Sequence, residues 1–177
     1  TTLCDISIGD NVKIGNIYDE DIDTYCTVKE SAPLTVFFGD NKCSGIYIEW
    51  TTLPEKFTFE QYSNSGVSIS RTEYNEPMLC MFLQVDADAA KVVLSLEESK
   101  RLGKLAVYSL GELPSNVQTW DAPAEKADLM IFTAHPDDEH LFFGGVMPYY
   151  TGELGLKTQV VYMSHQKRLR QDEALAG

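Results

Sequence analysis

Positive charge is scarce in this sequence: 14 Lys and Arg stand against 27 Asp and Glu, for a formal net charge of -13. Such a surface repels nucleic acid and anionic membrane at long range, so neither is an expected partner. Long apolar runs are also missing. None approaches the ~20 residues that span a bilayer, and no transmembrane segment is expected. The chain opens on Thr1 with neither an initiator Met nor a signal peptide, and is expected to be processed or trimmed. Cysteine is sparse, with Cys4, Cys26, Cys43 and Cys80 all in the first half. Their spacing fits no zinc knuckle and no CxxC motif. The even number permits two disulfides in an exported protein; four free, small apolar side chains is the equal alternative. The location expected is extracellular or cell-surface rather than cytoplasmic.

What the chain does have is material for a core. Hydrophobic residues make up 44% of the 177 positions, which excludes disorder and suggests one domain or slightly more. From about residue 10 to 113 the apolar pattern has period two. In "GIYIEW", Ile46 and Ile48 alternate with Tyr47 and Glu49. In "EKFTFEQY", Phe57 and Phe59 alternate with Lys56, Thr58 and Glu60. Leu79, Met81, Leu83 and Val85 share a face, as do Val92, Leu94 and Leu96, then Leu105 and Val107. Turns such as "FGDNKCSG" and "YSNSG" separate the runs. Short strands with one apolar face each predict an antiparallel sandwich over residues 1–115.

Residues 116–127 break that pattern and predict a linker. Beyond them, "DLMIFTA" is a continuous apolar run, as a strand buried in a parallel sheet requires. "EHLFFGGVMPYYTGE" follows as a short helix ended by Pro148 and Gly152, and "KTQVVYMS" as a second strand. This is a βαβ order over residues 128–177. So few α/β residues cannot cover a sheet, so the chain is expected to be the N-terminal piece of a longer protein or to be completed by a partner.

Between the first of these strands and the helix stands "TAHPDDEHLFFGG", residues 133–145. His135 and Asp138 supply an imidazole and a carboxylate, the ligand types that zinc takes in hydrolases. Asp137 is a second carboxylate in the same turn, suited to taking a proton from water. Acidic residues also favour a helix N-terminus for structural reasons. That explains one or two acids, but not His-Pro-Asp-Asp-Glu-His. In the first part, Asp19, Glu20, Asp21 and Asp23 form an acidic run that could hold calcium, with a solvated turn as the plainer reading. Trp50 or the tyrosines could stack on sugar rings, and core packing accounts for them equally well.

"AHPDDE" after an apolar strand, followed by "LFFGG", resembles the signature of the LmbE-like, or PIG-L-like, zinc-dependent de-N-acetylases. The resemblance covers residues of about 126–177. It implies the truncated start of a Rossmann-like α/β deacetylase domain, with zinc as cofactor and an N-acetylated amino sugar or glycoconjugate as substrate. It further implies that His135 and Asp138 are zinc ligands, Asp137 the general base, and Arg170 in "RLRQDEA" a substrate contact followed by Glu173. Gly144 and Gly145 would let the first helix pack closely. The family's third zinc ligand is a histidine far downstream of these positions, so this piece is expected to be inactive alone. His165 inherits no ligand role, and His140 is expected at the surface or bracing the ligands. The first part resembles galactose-binding-like β-sandwiches, the jelly rolls of many carbohydrate-binding modules. The fold class is thus mainly β, a jelly-roll sandwich followed by an α/β start. The function expected is hydrolysis of an N-acetylglucosamine-type acetamide; the alternative is a carbohydrate-binding sandwich with an inert α/β stub.

Overall fold

A computed structural model describes residues 4–9, 13–75, 77–114, 117 and 124–164. The chain divides into two compact units, Thr1–Thr119 and Trp120–Gly177.

The first unit is an antiparallel β-sandwich. Among the described residues its strands are β1 (Asp5–Ile8), β2 (Cys26–Val28), β3 (Leu34–Phe37), β4 (Cys43–Trp50), β5 (Phe57–Tyr62), β6 (Ser68–Tyr74), β7 (Cys80–Gln84), β8 (Lys91–Leu96) and β9 (Lys100–Ser109). One sheet has the order β1-β3-β8-β5-β6 and the other β2-β9-β4-β7. The period-two runs are the cause. Phe57, Phe59, Val92, Leu94 and Leu96 of the first sheet are buried, as are Ile46, Ile48, Leu83, Leu102 and Leu105 of the second. Each such side chain contributes about 1.5–3 kcal/mol on leaving water, and the two apolar faces can do so only against each other. Trp50 is fully buried and meets Phe57 across the layers, ring centroids 6.1 Å apart.

One expectation needs correction here, and one alternative is decided. Tyr47 and Glu49 are not outward and exposed; both are buried, at 6% and 4%. β4 is an inner strand, and register sets Tyr47 between Phe82 and Ala106, and Glu49 between Cys80 and Lys104. The Lys104 Nζ lies 3.5 Å from a Glu49 carboxylate oxygen, which offsets the cost of burying that charge. Trp50 belongs to the core and is unavailable for stacking on a sugar.

The second unit holds β10 (Leu129–Thr133) and β11 (Thr158–Tyr162), paired in parallel with Thr133 opposite Tyr162. Between them lie the helix α1 (Asp138–Phe143) and a π-helical segment, Pro148–Glu153. Pro148 and Gly152 therefore do not end the helix. Pro148 opens the second segment, where its missing N–H costs nothing, and Gly152 lies inside it. Met130 and Phe132 of β10 and Leu141 and Phe142 of α1 are exposed.

Candidate functional site

The "HPDDEH" residues sit at the carboxyl end of the β10–β11 pair, where open α/β sheets bind ligands. The strand stops at Thr133 because the chain turns at Pro136, which fixes its own φ and biases His135 away from helix. The Asp138 N–H donates to the His135 carbonyl at 3.3 Å, and the His135 N–H donates to Asp138 Oδ2 at 2.9 Å. These two bonds close the turn and bring the His135 Nδ1 to 3.7 Å from the same Asp138 oxygen. Two ligands of one ion with ~2 Å bonds lie within about 4 Å of each other. The His135 and Asp138 side chains stand within that distance of each other.

Asp137 precedes the helix in a left-handed conformation, φ 113°, which an Asp tolerates better than most residues. Its carbonyl accepts the N–H groups of His140 and Leu141, both at 3.0 Å. Glu139 is the buried acid of the group, at 2% exposure, and the sequence alone gave it no role. Its Oε2 accepts the Asp137 N–H at 3.1 Å, and its Oε1 lies 2.8 Å from His140 Nδ1. The Tyr162 hydroxyl, at the end of β11, donates to it as well. Burial pushes the Glu139 carboxyl up. Hydrogen bonds from its own N–H, Tyr162, His140 and Asp137 outweigh this and hold it below its ordinary range. Burial, then the bond to Glu139, push Tyr162 in the opposite direction, up. A usable signal was the Glu at the second helical position, from which a carboxylate can reach back to the turn.

His140 is on the surface with Glu139 as its partner. Gly144 is closely approached, since a Cβ there would stand 2.6 Å from the His140 carbonyl oxygen; Gly145 faces open space. Arg170, Glu173 and His165 lie outside the described residues. Among the described residues no group of three or more His, Cys, Asp or Glu side chains could hold a metal. His135 and Asp138 fit zinc as half of a coordination shell. In the acidic run, Asp19 Oδ1 accepts the N–H of Asp21 and the Thr24 hydroxyl, and Asp21 Oδ1 accepts the N–H of Asp23. These carboxylates order their own turn.

A second polar feature was not anticipated. The sandwich opens between β6 and β7, the edge strands of the two sheets, into a cleft of about 290 Å³. Its walls include Phe59 and Gln61 of β5, Ser70, Thr72 and Tyr74 of β6, and Asp86 just past β7. The sequence carried a signal: Gln61 continues the parity of Phe57 and Phe59, a polar residue in an apolar series.

No family model matches the chain, and no curated protein matches it. Several solved structures are similar to it in part. CpGH89CBM32-6 of Clostridium perfringens is 15% identical with a TM-score of 0.47, over 62% of this chain and 95% of that one. A fucose binding module of Streptococcus pneumoniae is 13% identical with a TM-score of 0.46, over 60% and 89%. The C-terminal domain of a chitobiase of Bacteroides fragilis is 13% identical with a TM-score of 0.41, over 61% and 94%. Nothing in these comparisons supports the deacetylase resemblance of residues 126–177.

Proposed function

We propose that this chain is directed at glycans and that its first unit is a carbohydrate-binding β-sandwich. The observation that carries this is the polar cleft at the open edge of the sandwich. The cleft is lined by two amides, three hydroxyls and a carboxylate, and one of the amides, Gln61, is on an inner strand. The test is retention of the full chain on immobilised glycans, against an unrelated β-sandwich as control. Equal retention of the two would refute the reading.

A second reading is favoured by the 3.7 Å approach of His135 Nδ1 to Asp138 Oδ2 at the carboxyl end of a parallel strand pair. On it, the second unit is the opening part of a zinc-dependent deacetylase acting on an N-acetylglucosamine-type sugar. His135 and Asp138 would hold the zinc, which supplies polarisation of an acetamide carbonyl and of water. Asp137 would take the proton from the attacking water, and Glu139 would keep the turn in shape through the Asp137 N–H. Arg170 would contact substrate. Calorimetric titration with zinc tests this reading. His135→Ala and Asp138→Ala should each weaken binding by about tenfold or more, and Asp137→Asn should change it by no more than about twofold. Loss of zinc in Asp137→Asn would exchange the roles of the two aspartates. Robust deacetylation by the 177-residue chain would contradict its expected inactivity with two ligands.

A further inference from the structure

We propose that the cleft between β6 and β7 is a subsite for one neutral pyranose ring and that it discriminates against acidic sugars. The inference rests on the carbohydrate-binding reading and names its site and ligand class.

The inner row of β6 is the first argument. In register, Tyr74 lies beside Phe57, Thr72 beside Phe59 and Ser70 beside Gln61. Phe57 and Phe59 are core residues, so the same face of β6 carries Tyr, Thr and Ser where the sandwich interior begins. Inward polar residues on an edge strand also discourage pairing with other chains. That purpose explains polarity on β6. It does not explain Gln61, which is on an inner strand and only 8% exposed.

Gln61 is held as a fixed reader. Its Nε2 donates to the Gln84 carbonyl at 3.2 Å, and its Oε1 accepts the Asp86 N–H at 2.7 Å. A carboxamide has two donor hydrogens and two acceptor sites, so these bonds lock its orientation and leave one of each. A sugar hydroxyl, both donor and acceptor, complements such a pair. The Ser70 Oγ is shielded from solvent and has no hydrogen-bond partner in the structure. Buried hydroxyls rarely stay unpaired, and this one belongs to the cleft wall. Asp86 stands at the exposed rim, its Oδ1 fixed by the Asp88 N–H at 2.9 Å. A carboxylate and amides reading hydroxyls, beside the half-buried ring of Tyr74, suit a ring with one polar edge and one apolar face.

Charge sets the class. Among the described residues no Lys or Arg lines the cleft. The neighbouring cation on β6, Arg71, alternates to the other face and reaches Glu60 at 3.4 Å. A uronate or sialate would bring its carboxylate next to Asp86 on a chain of net charge -13, where the cation of that turn, Lys42, is already paired with Asp88 at 3.3 Å. The volume, about 290 Å³, is at the small end for ligand sites and suits one ring rather than an oligosaccharide.

The test is saturation-transfer NMR on the full chain. Probes are the methyl glycosides of galactose, fucose and N-acetylglucosamine, with methyl glucuronide as the acidic counterpart. Two variants probe the cleft: Thr72→Trp, which fills it from an exposed position, and Asp86→Ala at its rim, both checked for native circular dichroism. We expect at least one neutral glycoside to bind, about tenfold more weakly in each variant, and the glucuronide to give no signal. Undiminished neutral binding in both variants overturns the cleft but leaves carbohydrate binding in place. Preference for the glucuronide overturns the ligand class. Absence of binding by every glycoside to the unaltered chain overturns the cleft and the carbohydrate-binding reading together.

Discussion

The Glu139 carboxylate accepts the backbone N–H of Asp137 at 3.1 Å, so the acid inside the helix governs the residue that stands just before it. This bond to the backbone comes from a buried side chain, and it adds to the two His135–Asp138 bonds that close the turn. Its strength follows the ionisation of Glu139.

That dependence gives a pH prediction. Glu139 is held below its ordinary value of 4.5 in the folded turn. A group with a depressed folded pKa adds stability above its unfolded pKa and loses it as pH falls through the folded value. The turn should therefore loosen below about pH 4.5, and Glu139→Gln should abolish that dependence. The amide signals of Asp137 and His140, followed by NMR as the pH is lowered, are the check. A Glu139 that titrates above its ordinary value would contradict the account.

Asp137 itself yields a second prediction. With φ at 113°, any residue carrying a Cβ is strained there. Asp137→Gly and Asp137→Ala both remove the carboxylate, and the Gly variant relieves the strain against the added freedom of its unfolded chain. The Gly variant should be the more stable by about 1 kcal/mol in urea denaturation of the second unit, read by NMR. Equal stabilities would mean that the backbone relaxes in solution.

The turn was legible because its chemistry is local. His135 and Asp138 are three residues apart, and a proline between them dictates the chain path. The strands were legible for the same reason, since period two is written residue by residue. What stayed hidden depends on neighbours distant in sequence. Glu49 looked outward by parity, and only the placement of β4 between β7 and β9 brings Lys104 to it. The Glu139–Tyr162 bond joins a helix to a strand 23 residues on, across a parallel pairing that no spacing announces. The cleft is hidden for a like reason: Ser70 and Thr72 become the wall of a cleft only because the four-stranded sheet stops at β7.

Close approach in the core gives a third prediction. A Cβ on Gly45 would stand 2.2 Å from the Phe82 ring and 2.7 Å from the Leu83 carbonyl oxygen. The ring can turn, but the backbone oxygen is part of the β4–β7 pairing. Gly45→Ala should therefore destabilise the sandwich by about 1–3 kcal/mol. Urea denaturation followed by Trp fluorescence measures this, because Trp50 is fully buried in the native state. An unchanged midpoint would show that the two sheet strands separate freely at this point.

The most direct test of the carbohydrate-directed reading is a glycan array probed with the full chain, with and without a chelator. The cleft is built from amide, hydroxyl and carboxylate groups, which can read sugar hydroxyls directly. The account predicts retention on neutral glycans that the chelator leaves unchanged and that acidic glycans do not match. A chain that no glycan retains, or that is retained only while metal is present, would contradict it.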